Sequence, residues 1–255
     1  MSRPKRRILS VEGEIGAGKT ELTSVLAAEL AARDKNVCLI QEPVEQWREV
    51  GILDKFYADP ERYAYTFQTY AFASRILSIA DKVRANPSAD VYILERTPAT
   101  DMVFMAAQGA ATSPMEREMY LTWCSAFSLM LPLDLRSAQV VYLRPSIAAC
   151  MERIAERRRG EEIRESDTTG SADGAPTKGS GVTVSYQETL RRAHEAFFLG
   201  LHAGDFPLLP ECPFARENVF TVDPALADRD FRAGKAARQP VVEHIIDTLG
   251  LLKSD

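Results

Sequence analysis

Short apolar runs alternate with longer segments of helical spacing along most of the chain. Five runs stand out: Ile8-Leu9-Ser10-Val11-Glu12, Asn36-Val37-Cys38-Leu39-Ile40, Val91-Tyr92-Ile93-Leu94, Gln139-Val140-Val141-Tyr142-Leu143 and Asn218-Val219-Phe220-Thr221-Val222. Each is rich in β-branched or aromatic residues and bounded by turn or charged residues, as strands buried on both faces of a parallel sheet are. Between them, residues 20–33 place Leu22, Val25, Leu26 and Leu30 on one stripe, and residues 60–83 do the same for Tyr63, Phe67, Tyr70 and Leu77. Residues 115–131, 147–158, 186–199 and 241–249 read as further helices. This alternation predicts an α/β fold: a five-stranded parallel sheet with helices on both faces and right-handed crossovers.

One stretch breaks the pattern. Residues 163–182 run through Ser, Thr, Gly, Asp, Pro and Lys with almost no large apolar side chain. A structureless loop of that length is functional or disordered. Residues 1–255 are otherwise expected to form a single domain, with a lid at about 153–185 that contains this insertion.

Composition narrows the class. The 255 residues are 45% hydrophobic and 26% charged, and 31 Lys+Arg against 36 Asp+Glu leave a net charge of −5, which argues against a partner that is a nucleic-acid polymer. No apolar run approaches the length of a membrane helix, and the basic start at residues 1–7 lacks the apolar stretch of a secretory signal. Cys38, Cys124, Cys150 and Cys212 lie far apart without a C-x-x-C pair, so they read as buried thiols in a reducing compartment. A soluble, cytoplasmic protein is expected.

The strongest chemical signal is Gly13-Glu14-Ile15-Gly16-Ala17-Gly18-Lys19-Thr20, which fits G-x-x-x-x-G-K-[ST] between a strand and a helix. Glycines let successive N–H groups turn around phosphate oxygens, and the helix N-terminus adds a favourable dipole. Lys19 would reach the β- and γ-phosphates of a nucleoside triphosphate and Thr20 would bind Mg²⁺. The acceptor is not named by this motif. Glu42, after the second strand, and Glu95, ending the third, lie where open α/β sheets bind ligands. Glu42 could take a proton from a substrate hydroxyl, although a Glu-Pro pair is also a common turn. Arg153, Arg157, Arg158 and Arg159 could neutralise charge on a transferring phosphoryl group, or form a solvated helix end.

Taken together, several blocks resemble the deoxynucleoside kinases of the deoxycytidine/deoxyguanosine kinase type. They are residues 13–20; Glu42-Pro43-Val44-Glu45-Gln46-Trp47; Tyr65-Thr66-Phe67-Gln68-Thr69-Tyr70 with Ser74-Arg75; Glu95-Arg96-Thr97 with Asp101; Tyr142-Leu143-Arg144 leading to Arg153-Ile154 and residues 157–162; and residues 186–197, containing His194-Glu195. The resemblance spans nearly all of residues 8–249 except the polar insertion. It implies a P-loop kinase fold with a mobile Arg-rich lid, transfer of the γ-phosphoryl group of ATP to a deoxynucleoside 5′-hydroxyl in nucleotide salvage, Mg²⁺ as cofactor and a homodimer.

The resemblance also implies roles. Glu42 would be the base, with Arg96 beside it and Lys19 completing the catalytic group. Gly13, Gly16, Ala17, Gly18, Lys19 and Thr20 would hold ATP, with Arg153, Arg157 and Arg159 forming the lid and Phe231 near the adenine. Thr20 and Glu95 would share Mg²⁺. Tyr57 and Glu162 match positions that bond the sugar 3′-hydroxyl, Gln68 matches the reader of the base edge, and Trp47 and Phe67 would line the base slot. Arg75 and Asp101 match a charged pair of relatives that accept deoxycytidine and purine deoxynucleosides. That pair occupies space which thymidine-preferring relatives leave for a 5-methyl group, so deoxycytidine and/or purine deoxynucleosides are expected over thymidine. Met105 falls at a base-pocket position often aromatic in the family, and Thr97 stands where serine is usual. The apolar character of residues 71–80 and 120–131 agrees with a dimer face, and the core can claim the same residues. Two other readings of the fold remain: a nucleoside monophosphate kinase, which needs a cationic acceptor pocket, and a non-catalytic P-loop scaffold subunit.

Overall fold

The computed structural model describes residues 7–157, 162, 181–207, 209–229 and 235–251. Five strands form one parallel sheet: β1 (Arg7–Glu12), β2 (Val37–Ile40), β3 (Val91–Glu95), β4 (Gln139–Leu143) and β5 (Val219–Val222), in the spatial order β2-β3-β1-β4-β5. Leu9 pairs with Ile93 on one side and Gln139 on the other, which fixes β1 at the centre. The chain leaves β1 toward β2 but leaves β3 toward β4, so the order reverses beside β1. Such a reversal opens a crevice at the carboxyl ends of the strands.

Side-chain alternation builds a core on each face. Tyr92, Leu94, Val140 and Tyr142 pack with Val103, Leu190, Ala193 and Phe197. Leu9, Val11, Ile93, Val141 and Leu143 pack on the other face against Leu22, Leu26, Leu30, Val242 and Ile245. The helices that matter most here are α1 (Lys19–Ala31), α2 (Val44–Glu49), α3 (Ile52–Ala58), α4 (Pro60–Ala85), α5 (Pro98–Ala106), α6 (Pro114–Ser128), α7 (Ile147–Arg157) and α8 (Val184–Leu199). Lys235–Thr248 forms the last helix, beginning earlier than the apolar spacing alone suggests.

Short helices escaped the periodicity reading. α2 and α3 have 6 and 7 residues, too short to display a full apolar stripe. α5 follows the Thr97-Pro98 start, where proline suits the first helical position. The stripe assigned to α4 also needs correction. Leu77 is 62% exposed, while the inward face carries Ala64, Phe67, Gln68, Ala71, Phe72, Arg75 and Ile76. Two charged or amide groups on that buried face mark where the helix meets the cleft. The expected helix at residues 115–131 ends at Ser128, and Leu129 and Met130 are exposed.

Of the polar insertion at 163–182, residues 163–180 lie outside the described residues. Val182, assigned to it from composition, is buried against Trp47, Phe56 and Ile154 and donates its N–H to Glu162 O at 3.1 Å. Among the described residues no helix is long and apolar enough to cross a membrane. Cys38, Cys124 and Cys150 are buried free thiols, and Cys212 is half-buried and free.

Candidate functional site

A cleft of about 290 Å³ opens at the carboxyl ends of the strands. It gathers residues from distant parts of the chain: Gly16, Gly18, Lys19 and Thr20 from the P-loop, Glu42 and Trp47 after β2, Tyr57 from α3, Phe67, Gln68 and Arg75 from α4, Glu95, Arg96 and Asp101 after β3, and Arg153, Arg157 and Glu162 beyond β4.

The P-loop bends through left-handed glycines, with φ of 143° at Gly13 and 78° at Gly16. A side chain at either would also collide with backbone: a Cβ would lie 2.5 Å from Leu143 O at Gly13 and from Cys150 O at Gly16. Only glycine satisfies both conditions. Lys19 donates through Nζ to Glu14 O at 2.8 Å, closing the loop on itself. Burial foremost, and then Arg96, lower its pKa to about 8 against the opposing pull of Glu42 and Glu95. Thr20 donates to Glu95 Oε1 at 2.8 Å.

The acidic end of the site is built around Glu42. Its Oε1 accepts from Arg75 Nη2 at 2.8 Å and lies 3.1 Å from Arg96 Nε. Burial favours the neutral acid, but Arg96, Arg75 and Lys19 outweigh it and hold the carboxyl at about 2. Arg75 is held in turn by Asp101, Nε to Oδ2 at 2.8 Å and Nη2 to Oδ1 at 2.9 Å, and by Glu95 O at 3.3 Å. A bidentate fork of this kind fixes guanidinium orientation as well as charge. Glu95 is shifted upward, first by burial and then by the neighbouring Glu42 charge.

Arg96 adopts φ 64°, a conformation unusual for a non-glycine residue. Its N–H donates to Val11 O at 3.1 Å and its guanidinium sits 4.4 Å from the Phe104 ring centroid. Beneath that turn, the buried Glu12 carboxylate accepts from Thr97 N–H at 2.8 Å, Thr100 Oγ1 at 2.9 Å and the Ser10 hydroxyl. Glu12 thus anchors the β3–α5 turn through backbone and side chain alike. Sequence reading passed over it because a strand-terminal Glu before a P-loop carries no motif of its own.

The apolar wall comes from Trp47, whose Nε1 donates to Ser74 Oγ at 2.8 Å, and from Phe67, set edge-on to Trp47 and stacked on Phe56. Gln68 is buried, and its Nε2 has no hydrogen-bond partner within the protein. A buried amide in that state points to a ligand that supplies the acceptor. On the opposite side Arg157 forks onto Glu162 at 2.7 and 2.6 Å. Arg153 donates to Gly16 O at 3.4 Å, Ala17 O at 3.1 Å and Ala227 O at 2.8 Å.

One expected base-pocket position falls elsewhere. Met105 does not line the cleft; it packs with Phe72, Ile76, Tyr120 and Cys124, and its neighbour Phe104 lines the cleft instead. Adjacent residues on a helix face about 100° apart, so a shift of one position exchanges cleft for core. Leu53 and Phe56 also line the cleft without having carried a recognisable signal, as does Tyr186, which opens the 186–197 block but had no role assigned. Arg158, Arg159 and Phe231 lie outside the described residues. His194 is buried, donates from Nδ1 to Leu190 O at 2.7 Å, and stacks on Tyr142. His202 has Nε2 at 3.4 Å from Glu195 Oε2.

The family model for deoxynucleoside kinase matches residues 9–168. The chain belongs to the deoxynucleoside kinase family. The kinases of that family are ATP-dependent phosphotransferases, and this chain is one of them. It is 34% identical over 160 residues to a probable deoxycytidine kinase of fowlpox virus, covering 60% of this chain and 63% of the viral protein. Identity to deoxycytidine kinase 1 of Xenopus laevis is 25% over 279 residues, covering 97% of this chain and 92% of the frog protein. The deoxycytidine kinase of Homo sapiens is 25% identical over 271 residues, at 94% and 91% coverage.

Proposed function

We propose that this kinase transfers the γ-phosphoryl group of ATP to the 5′-hydroxyl of deoxycytidine and/or purine deoxynucleosides in preference to thymidine, with Glu42 as general base. The observation that carries the reading is one cleft holding Lys19 of the P-loop at one end and the Glu42–Arg75–Asp101 network at the other. A phosphate donor and a hydroxyl acceptor can then meet in line between them.

Each residue has a part in that scheme. The loop N–H groups and Lys19 hold the triphosphate, and Arg153 and Arg157 neutralise its developing charge. Thr20 and Glu95 offer hard oxygen donors suited to Mg²⁺, which when bound draws charge off the phosphates. Glu42, ionised at neutral pH, accepts the 5′-hydroxyl proton while Arg96 fixes its orientation. Tyr57 and Glu162 take the sugar 3′-hydroxyl, Trp47 and Phe67 line the base slot, and Gln68 reads its edge. Arg75 and Asp101 fill the space a 5-methyl group needs; separating that buried pair to admit one is costly. Similarity to proteins named deoxycytidine kinase supports the same substrate class.

We further assign a homodimer. Leu77 on α4, Met119 and Trp123 on α6 are exposed apolar side chains on two helices packed together. Grouped apolar exposure of this kind marks an interaction face.

The deciding experiment is ADP release with Mg-ATP and each of the four deoxynucleosides in turn, with the deoxynucleoside monophosphates as control acceptors and Glu42→Gln in parallel. Turnover with deoxycytidine or a purine deoxynucleoside, lost in Glu42→Gln, is the expected result. The highest kcat/KM with thymidine would overturn the base preference, and turnover with monophosphates alone would make the enzyme a nucleoside monophosphate kinase.

A further inference from the structure

The P-loop is gripped from behind by two residues outside the cleft. Gln187, on the first turn of α8, donates through Nε2 to Ile15 O at 2.5 Å. One turn later Arg191 donates through Nε to Glu14 Oε1 and through Nη2 to Pro145 O, just past β4. Tyr142 completes the set, its hydroxyl donating to the same Glu14 oxygen at 3.1 Å.

Glu14 is a fully buried carboxylate inside a loop built to hold polyphosphate. Unpaired there, it would repel the ligand and carry a large desolvation cost. Paired with Arg191, it becomes an anchor that cannot shift without breaking a buried ion pair. The Ile15 contact has a directional consequence as well. In a trans peptide the N–H lies opposite the carbonyl, so holding Ile15 O against α8 turns the Gly16 N–H away from α8. Gly16 itself backs onto Cys150 O with no space for a Cβ, so the loop has nowhere to retreat.

We infer that Gln187 and Arg191 are positioning residues for the triphosphate. They set the orientation of the P-loop through Ile15 and Glu14 and make no contact with the nucleoside. The placement of α8 extends the idea. Its start follows Val182, whose N–H bonds Glu162 O, and Glu162 pairs with Arg157. One helix therefore ties the Arg157–Glu162 pair to the back of the loop.

The test is calorimetric binding of Mg-ATP and, separately, of deoxycytidine to the full chain, alongside thermal unfolding. Gln187→Met removes a single hydrogen bond. The double variant Glu14→Gln with Arg191→Met removes both charges, so no carboxylate is left buried alone. Each is expected to weaken Mg-ATP roughly tenfold, the effect of losing one buried hydrogen bond to the loop, with the Kd for deoxycytidine within about twofold of the parent. Arg191→Lys, which keeps the charge but not the fork, is expected to fall between the parent and the double variant. Unchanged Mg-ATP affinity in folded Gln187→Met, or equal weakening of both ligands, would overturn the inference. Should the double variant not fold, Gln187→Met and Arg191→Lys decide it. The inference rests on the triphosphate reading of the loop alone: a parent protein that binds Mg-ATP but no deoxynucleoside would refute the substrate assignment and leave this comparison intact.

Discussion

Arg75 and Glu42 share a 2.8 Å hydrogen bond although they come from the middle of a long helix and the turn after the second strand. Arg96 meets the same carboxylate oxygen at 3.1 Å. Two guanidinium groups converging on one oxygen keep Glu42 ionised, and the cost is a weaker base. Loose phosphoryl transfer tolerates this, since little proton transfer is needed until the new bond is well advanced. Holding the hydroxyl in place is then the larger contribution.

Glu42→Gln is expected to lower kcat by about 10²- to 10⁴-fold, the usual range for losing a positioned base. Mg-ATP affinity should stay within about twofold, because Glu42 forms its hydrogen bond and ion pair with Arg75 and Arg96 rather than with the P-loop. Single-turnover kinetics with calorimetry of Mg-ATP separates the two effects. Equal loss of binding and rate would remove Glu42 from the chemical step.

The acid side of the pH profile tests the Arg75 contact. With the Glu42 carboxyl at about 2, below its ordinary 4.5, kcat/KM for the nucleoside should show no carboxylate limb between pH 5 and 7. The depressed value contributes stability that is full above pH 4.5 and is lost as pH falls toward 2. Pairing Arg75→Met with Asp101→Asn removes one cation from Glu42 and should move the acid limb upward. In that double variant the kcat/KM ratio of thymidine to deoxycytidine should also rise. Arg75→Met alone leaves Asp101 buried without its cation and should cost about 3–5 kcal/mol of stability, read by denaturant unfolding.

Lys19 predicts a basic limb. Burial, with Arg96 next, brings its pKa down to about 8 from an ordinary 10.5, so the nucleotide-free protein loses that charge as pH rises through 8. Between those values the unfolded chain binds more protons, and the Lys19 contribution makes the fold more stable with rising pH there. Triphosphate restores the proton. Binding of ATP near pH 8.5 should therefore take up protons, measurable by calorimetry in buffers of different ionisation enthalpy. No dependence on buffer, or the same uptake in Lys19→Met, would contradict this.

The proposed dimer face makes a prediction that is independent of chemistry. Trp123→Arg or Leu77→Glu should convert the protein to a monomer in analytical ultracentrifugation, with little change in the unfolding temperature of the monomeric domain. A parent protein that sediments as a monomer would dispose of the assignment.

Much of this protein was legible in its sequence because local rules suffice for it. The strands at Gln139–Leu143 and Val91–Glu95 are apolar runs that only a buried parallel sheet accommodates. The P-loop glycines stand where backbone geometry excludes every other residue. Both signals are short-range, so reading a few neighbouring positions recovers them. The tertiary structure decided what depends on separation in sequence. Glu12 under the β3–α5 turn, the Arg75 fork between Asp101 and Glu42, and the Arg191–Glu14 pair are contacts between segments 26 to 177 residues apart. Likewise, Met105 turned to the core while Phe104 took the cleft, and Leu77 turned outward from a stripe that looked apolar. Helical spacing gives the relative angle of two side chains, but only the packing of neighbouring elements says which angle faces the substrate.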